Sequence, residues 1–387
     1  MQTTLVLTQP NLDEALARAR RFVATRTALR ALACVHLKAE DGRLQVEATN
    51  LEIGVRLAVP ARVEHPGVAL CAPTIALADL VKTLPPDQVT LRLDAETATA
   101  TLLCGDTSAT LKGVNADEFP VIAPAAEGDF LFQTPPGDLK AAARLVTFAA
   151  SADQSRPALA GVFVFVDGAA LTLVAADGFR LAVRALAHTG AGAERREFLI
   201  PARALDEVVR VFSEGENDVR CTLLADGKQA AFTDGEVDVV AQLLDHAYPG
   251  YAAIIPETTA TRVVIARADL LQACRRADVF ARDSLFTVRL HIQPGASELV
   301  PGTVTVRASS AETGEEETTL PAAISGADEA VKIAFNGRFL AEALGALDAE
   351  QVALGVNEPG KAGVLKPVDK YTDYTYVQMP MAITAML

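Results

Sequence analysis

Apolar residues recur at spacings of 4, 3 and 4 in three places along the chain. They are Leu12, Leu16, Ala19 and Val23; Leu139, Ala143, Val146 and Ala150; and Leu270, Cys274, Ala277 and Ala281. Each set forms one stripe at 3.6 residues per turn and predicts an amphipathic helix. Short alternating runs follow, at Val35 and Leu37, at Val162, Val164 and Val166, and at Val288, Leu290 and Ile292. These read as strands, each turning back through Asp41-Gly42, Asp167-Gly168 or Pro294-Gly295. A second helix is predicted at 75–84, 202–212 and 339–347, followed by strands at 89–93, 219–224 and 352–356.

The landmarks step by 126 to 131 residues, and a third of the 387-residue chain is 129. Phe119-Pro120, Tyr248-Pro249 and Met379-Pro380 mark the late part of each copy. A solenoid unit runs to roughly 20–50 residues, so this period is a whole domain. The pattern predicts an α+β fold: three tandem copies of a two-helix, antiparallel-sheet domain, at 1–127, 128–258 and 259–387.

Composition removes several classes. No stretch of about 18 apolar residues occurs, so no membrane span is expected. Met1-Gln2-Thr3-Thr4 does not open a signal peptide. The five cysteines are scattered and odd in number, which fits reduced thiols in a cytoplasm and argues against zinc. The five histidines are dispersed, so neither a metal nor a cofactor is expected.

The net charge of −14 taken alone argues against nucleic acid. Its distribution changes that. Segment 12–26 carries Arg18, Arg20, Arg21 and Arg26 against Asp13 and Glu14. Segment 137–151 carries Lys140 and Arg144 against Asp138. Segment 267–282 carries Arg267, Arg275, Arg276 and Arg282 against Asp269 and Asp278. The three first helices are therefore net basic in an acidic chain, with their acids expected at the N-terminal ends. A single basic helix face is ordinarily just solvated; three with the same polarity point to a surface with a use.

Gly355-Val356-Asn357-Glu358-Pro359-Gly360-Lys361 begins like a phosphate-binding loop, but Ala362 supplies no hydroxyl and no helix is expected after it. Ala175-Ala176-Asp177-Gly178-Phe179-Arg180-Leu181-Ala182-Val183 is more distinctive. It reads as a tight turn with Gly178 at positive φ and an Asp177–Arg180 pair. The first-repeat counterpart, Asn50-Leu51-Glu52-Ile53-Gly54, lacks the glycine and the arginine at those places. That loss suggests an added role in the second repeat. Tyr374-Thr375-Tyr376-Val377-Gln378-Met379-Pro380-Met381 reads either as core or as adaptable groove lining.

The triple repeat, Asp177-Gly178 leading into Arg180-Leu181-Ala182-Val183, Phe119-Pro120 and Val377 to Met381 together resemble the bacterial DNA polymerase III β sliding clamp family. The resemblance covers the whole chain. It implies a non-catalytic processivity subunit, closing as a head-to-tail homodimer into a six-domain ring around duplex DNA. It also implies a hydrophobic pocket that binds Leu/Phe-bearing motifs of the replicative polymerase's catalytic subunit, the clamp loader and repair proteins. The pocket carries over onto Leu159, Ala176, Gly178, Phe179, Arg180, Leu181, Pro249, Ile254, Val377, Met379, Pro380 and Met381. Arg18, Arg21, Arg26, Lys140, Arg144, Gln154, Arg275, Arg276 and Arg282 would face DNA, touching phosphate without reading bases. Leu111 of one copy would meet Val279 and Phe280 of the other.

Three departures bear on partner preference: Phe179 in place of a histidine, Ala253 in place of a basic residue, and the extension 382–387. Two other readings stay open on the residues alone. One is a tandem-domain peptide scaffold that never encircles DNA. The other is an enzyme with a polar site at Asp177 and Arg180, for which no adjacent base or nucleophile is evident.

Overall fold

A computed structural model describes residues 1–153, 155–190, 195–212, 215–224, 227–295, 300–358 and 360–382. Six α-helices are described: α1 (Gln9–Ala19), α2 (Thr74–Lys82), α3 (Pro136–Val146), α4 (Ala202–Phe212), α5 (Arg267–Ala281) and α6 (Gly337–Ala346). Every strand pairing described is antiparallel. The apolar stripes face inward, since Leu12, Leu16, Leu139, Ala143, Leu270 and Cys274 are all buried. Burying a side chain of the leucine class is worth about 1.5–3 kcal/mol, which places the driving force in these stripes.

The chain gathers into two compact units. One comprises residues 1–139, 188–193 and 203–245; the other comprises 140–187, 194–202 and 246–387. The second repeat contributes to both, because sheets run across the repeat borders. In the first unit, strand Ile53–Pro60 of repeat one pairs with Val237–Gln242 of repeat two inside a ten-stranded sheet. A five-stranded sheet completes that unit. In the second unit, Arg180–Ala187 of repeat two pairs with Tyr374–Gln378 of repeat three inside a twelve-stranded sheet.

Several expectations need correction. Helix α1 starts at Gln9 with Pro10 in its first turn, a position proline favours, so Asp13 and Glu14 lie in its second turn. Val23 lies beyond α1 and Ala150 beyond α3, although Val23 is still buried. The hairpin turns at Gly42 and Gly168 hold φ of +74° and +59°. The third differs, because strand Thr287–Gln293 resumes only at Gly302–Ser310, and Pro294-Gly295 merely opens a longer connection. After Gln351–Val356 the chain enters strand Gly363–Pro367, with no helix among the described residues where a phosphate-binding loop requires one.

The first-repeat turn overturns the reasoning about the second. Leu51 adopts φ +76° where Gly178 adopts +96°. Asn50 Oδ1 accepts from the amides of Glu52 and Ile53, just as Asp177 Oδ1 accepts from those of Phe179 and Arg180. The fold therefore requires this turn in both copies, and leucine carries its strain in one.

Candidate functional site

The Asp177 turn leads into strand Arg180–Ala187 beside an apolar cluster in the second unit. Leu181 lies opposite Ala176 on one side and Val377 on the other, and Val364 lies opposite Val377. With Val174 and Ala362 these form a buried floor, against which Leu159, Phe163, Tyr248, Tyr251 and Ile255 pack partly buried. Phe163 and Tyr248 stack with centroids 5.2 Å apart. Next in the chain to residues of this cluster or its strands, Phe179, Ile254 and Met379 are 63%, 48% and 41% exposed. The Met379 amide donates to the Phe179 carbonyl at 2.8 Å, tying the two rim residues together. Large exposed apolar side chains over an apolar floor suit a ligand that brings apolar side chains of its own.

Arg180, the next residue along, is buried. Its Nε donates to Asp177 Oδ2 at 2.9 Å, its Nη1 pairs with Glu342, and its Nη2 donates to the Phe148 carbonyl at 2.7 Å. The guanidinium lies 4.1 Å from the Phe339 ring centroid. Burial works against its charge, but Glu342 foremost, with Asp177, outweighs burial and pushes its pKa above the usual arginine value. Asp177 has one oxygen committed to the turn and the other to Arg180. Both Asp177 oxygens are thereby engaged, and the described residues hold no metal-binding cluster.

Below the strand, Tyr376 Oη donates to the Phe339 carbonyl and contacts Gln378 Oε1, both at 3.1 Å. Gln378 Nε2 donates to the Asn336 carbonyl at 2.9 Å. Strand Tyr374–Gln378 is thereby fixed to the start of α6, which positions Met379. Pro380 is partly buried and Pro249 exposed. Met381 departs from the expected set: its amide donates to Ala334, and its side chain lines a separate depression beside Leu285, Arg289 and Arg307. Sequence reasoning missed Val174, Phe163, Tyr251, Ile255, Ala362 and Val364.

The expected DNA-facing residues divide. Arg26, Lys140, Arg144, Arg275 and Arg282 are exposed, and none makes an ion pair among the described residues. Arg18 is paired with Glu14 at 2.7 Å and Arg276 with Glu316 at 3.8 Å. Arg21 makes a two-pronged contact with Glu207 at 2.7 and 2.9 Å. Such exposed pairs are worth at most about 1 kcal/mol and yield easily to a phosphate. Gln154 lies outside the described residues, as do 383–387 of the extension. Of the expected dimer contacts, Val279 is 52% exposed, and Leu111 and Phe280 are partly buried.

Three family models match in succession: the N-terminal domain of the DNA polymerase III beta subunit over residues 3–123, its central domain over 133–250, and its C-terminal domain over 252–382. The beta sliding clamp of Synechococcus elongatus is 32% identical across 98% of this chain and 99% of its own length.

This chain belongs to the DNA polymerase III beta subunit family.

The beta sliding clamp of Streptomyces coelicolor is 28% identical across 96% of this chain and 97% of its own. The crystal structure of the DNA polymerase III beta subunit from Thermotoga maritima superposes with a TM-score of 0.88 at 26% identity, covering 99% of this chain and all of that one. A sliding clamp from Pseudomonas aeruginosa bound to griselimycin superposes at 0.89 with 25% identity, covering 99% and 100%. The sliding clamps of this family are non-catalytic, and this member acts as a DNA sliding clamp that tethers the polymerase. The enzyme reading at Asp177 and Arg180 is thereby set aside.

Proposed function

We propose that the chain, read as domains 1–127, 128–258 and 259–387, closes head to tail with a second copy into a six-domain ring around duplex DNA. The groove under Phe179 and Met379 then captures short Leu- or Phe-bearing segments of the replicative polymerase's catalytic subunit, the clamp loader and repair proteins. Work of this kind belongs in the cytoplasm, and the five cysteines, all free and buried, suit it. No helix among the described residues is long and apolar enough to cross a membrane.

The observation that carries the reading is the set of exposed apolar side chains, Phe179, Ile254 and Met379, beside a cluster of buried ones. Small pockets of this type bind linear motifs through a few apolar anchors. Closure draws support from two open strand edges. Strand Thr107–Lys112 ends the five-stranded sheet. Strand Gly314–Ser325 meets Thr261–Ala266 only through residues 323–325, which leaves its outer edge free over 314–322 among the described residues. The first strand carries Lys112 and no acid; the second carries Glu315, Glu316 and Glu317 and no base. Two unlike edges on one chain permit a head-to-tail contact made twice.

Met379→Ala is expected to weaken a fluorescent Leu/Phe-bearing peptide by about 1.5 kcal/mol or more, the worth of a buried apolar side chain. Met381→Ala should weaken it less, because Met381 lies at another depression. Equal affinity for Met379→Ala and the unmutated chain would refute the groove.

A further inference from the structure

The first unit holds an open depression lined by Leu51, Val121 and Ile122 and by the polar Glu52, Gln229 and Gln242. Its backbone frame repeats that around Phe179 and Met379. The Gln242 amide donates to the Glu52 carbonyl at 2.8 Å, as the Met379 amide does to Phe179 at 2.8 Å. Ile53 lies opposite Ala241 as Arg180 lies opposite Gln378. Leu51 and Glu52 thus stand at the places of Gly178 and Phe179, and Gln242 at that of Met379. Gln229, opposite Gln242, takes the place of Ala362.

The chemistry on this frame is different. Apolar Phe179 and Met379 give way to exposed Glu52 and Gln242, and Glu52 makes no ion pair among the described residues. The exposed apolar surface moves to the flanks, where Leu51 is 50% and Val121 96% exposed. Arg56 is not free to neutralise Glu52, because its Nε donates to Glu47 at 2.7 Å and its Nη2 to the Ile122 carbonyl at 2.7 Å. The second of these bonds also fixes the wall that carries Val121. Leu51 adds an independent observation. It holds φ +76°, a conformation that favours glycine, while its half-exposed side chain gains little from packing. Strain held at an exposed apolar residue is a mark of a binding surface.

We infer that the first unit carries a second docking site, centred on Leu51, Glu52 and Val121, for a linear peptide segment that sets a lysine or arginine beside an apolar residue. The unpaired Glu52 carboxylate takes the cation. Leu51 and Val121 cover the apolar neighbour, and the Gln229 and Gln242 side-chain amides can bond the segment's backbone. The site uses no residue of the second unit and selects a ligand of different chemistry from a Leu/Phe-bearing motif.

The probe is a fluorescein-labelled hexapeptide, Gly-Lys-Leu-Ile-Lys-Gly, titrated by anisotropy into the full-length protein at low salt. It should bind in the presence of a saturating excess of unlabelled Leu/Phe-bearing peptide, and Met379→Ala should leave its affinity unchanged. Leu51→Gly should weaken it about tenfold, the worth of one buried apolar side chain, while making the fold more stable, so the loss is not one of folding. Glu52→Gln should weaken it about fivefold, as loss of an exposed ion pair does. Amide hydrogen exchange should show protection by the probe at 49–54 and 119–123. Displacement of the probe by the Leu/Phe-bearing peptide would place it in the second unit and overturn the inference. So would no binding to the unmutated chain, or undiminished binding to Leu51→Gly and Glu52→Gln, the behaviour of an acidic surface that attracts any cation. If the probe binds as described and the Leu/Phe-bearing peptide does not bind at all, the groove of the second unit fails and this site stands.

Discussion

Leu51 holds a left-handed backbone that its second-repeat counterpart assigns to glycine, and its side chain is half exposed, so little packing offsets the strain. That conformation costs a non-glycine residue about 1–2 kcal/mol. Leu51→Gly should therefore stabilise the protein by up to about 1 kcal/mol, and Gly178→Ala should destabilise it by a similar amount, both seen as shifts in urea midpoint at constant slope. Arg180→Met should cost more, about 3 kcal/mol, because it strands Asp177 beneath the groove without its cation; a thermal melt measures this. The Asp177–Arg180 pair and the positive φ of Gly178 were legible in a three-residue spacing. Glu342 and Phe148 were not, since they meet Arg180 across 162 and 32 residues and such contacts leave no periodic trace.

Among the elements, the helices were the most legible, because an apolar stripe shows both the element and its buried face. Their ends were less so: Pro10 moved the start of α1, and the assumed turn at Gly295 proved to open a longer connection. Strand pairing across repeat borders was not legible at all, since hairpin signals report only neighbours. Within the first repeat, Glu47 bonds to His36 and Arg56 on the strands either side of its own. Burial pushes its carboxyl up, but the bonds from His36 and Arg56 outweigh burial and hold it below the ordinary 4.5. A carboxylate depressed in the folded state contributes its full stability above its unfolded value and loses it as pH falls through the folded one. Stability should therefore decline on acidification below about pH 4.5, and Glu47→Gln should flatten that decline in pH-dependent urea melts.

For the whole molecule, the proposed ring would reconcile a net charge of −14 with encircled DNA through where the cations lie: Arg26, Lys140, Arg144, Arg275 and Arg282 are exposed on or after three first helices. Closure should give a mass by light scattering near twice 40.7 kDa. Phe280→Ala should shift it toward the monomer at low concentration, as truncating an aromatic buried by the proposed contact costs about 3–5 kcal/mol. Direct contact with phosphate weakens steeply with salt, by a log–log slope of about −0.9 per phosphate neutralised. A closed ring is held by topology and needs no contact energy. The decisive measurement is retention on DNA at high salt after loading onto a nicked circle. The protein should remain on the circle through a wash that abolishes its binding to a short linear duplex, and cutting the circle should release it. Departure from intact circles and cut DNA at the same rate would contradict encirclement.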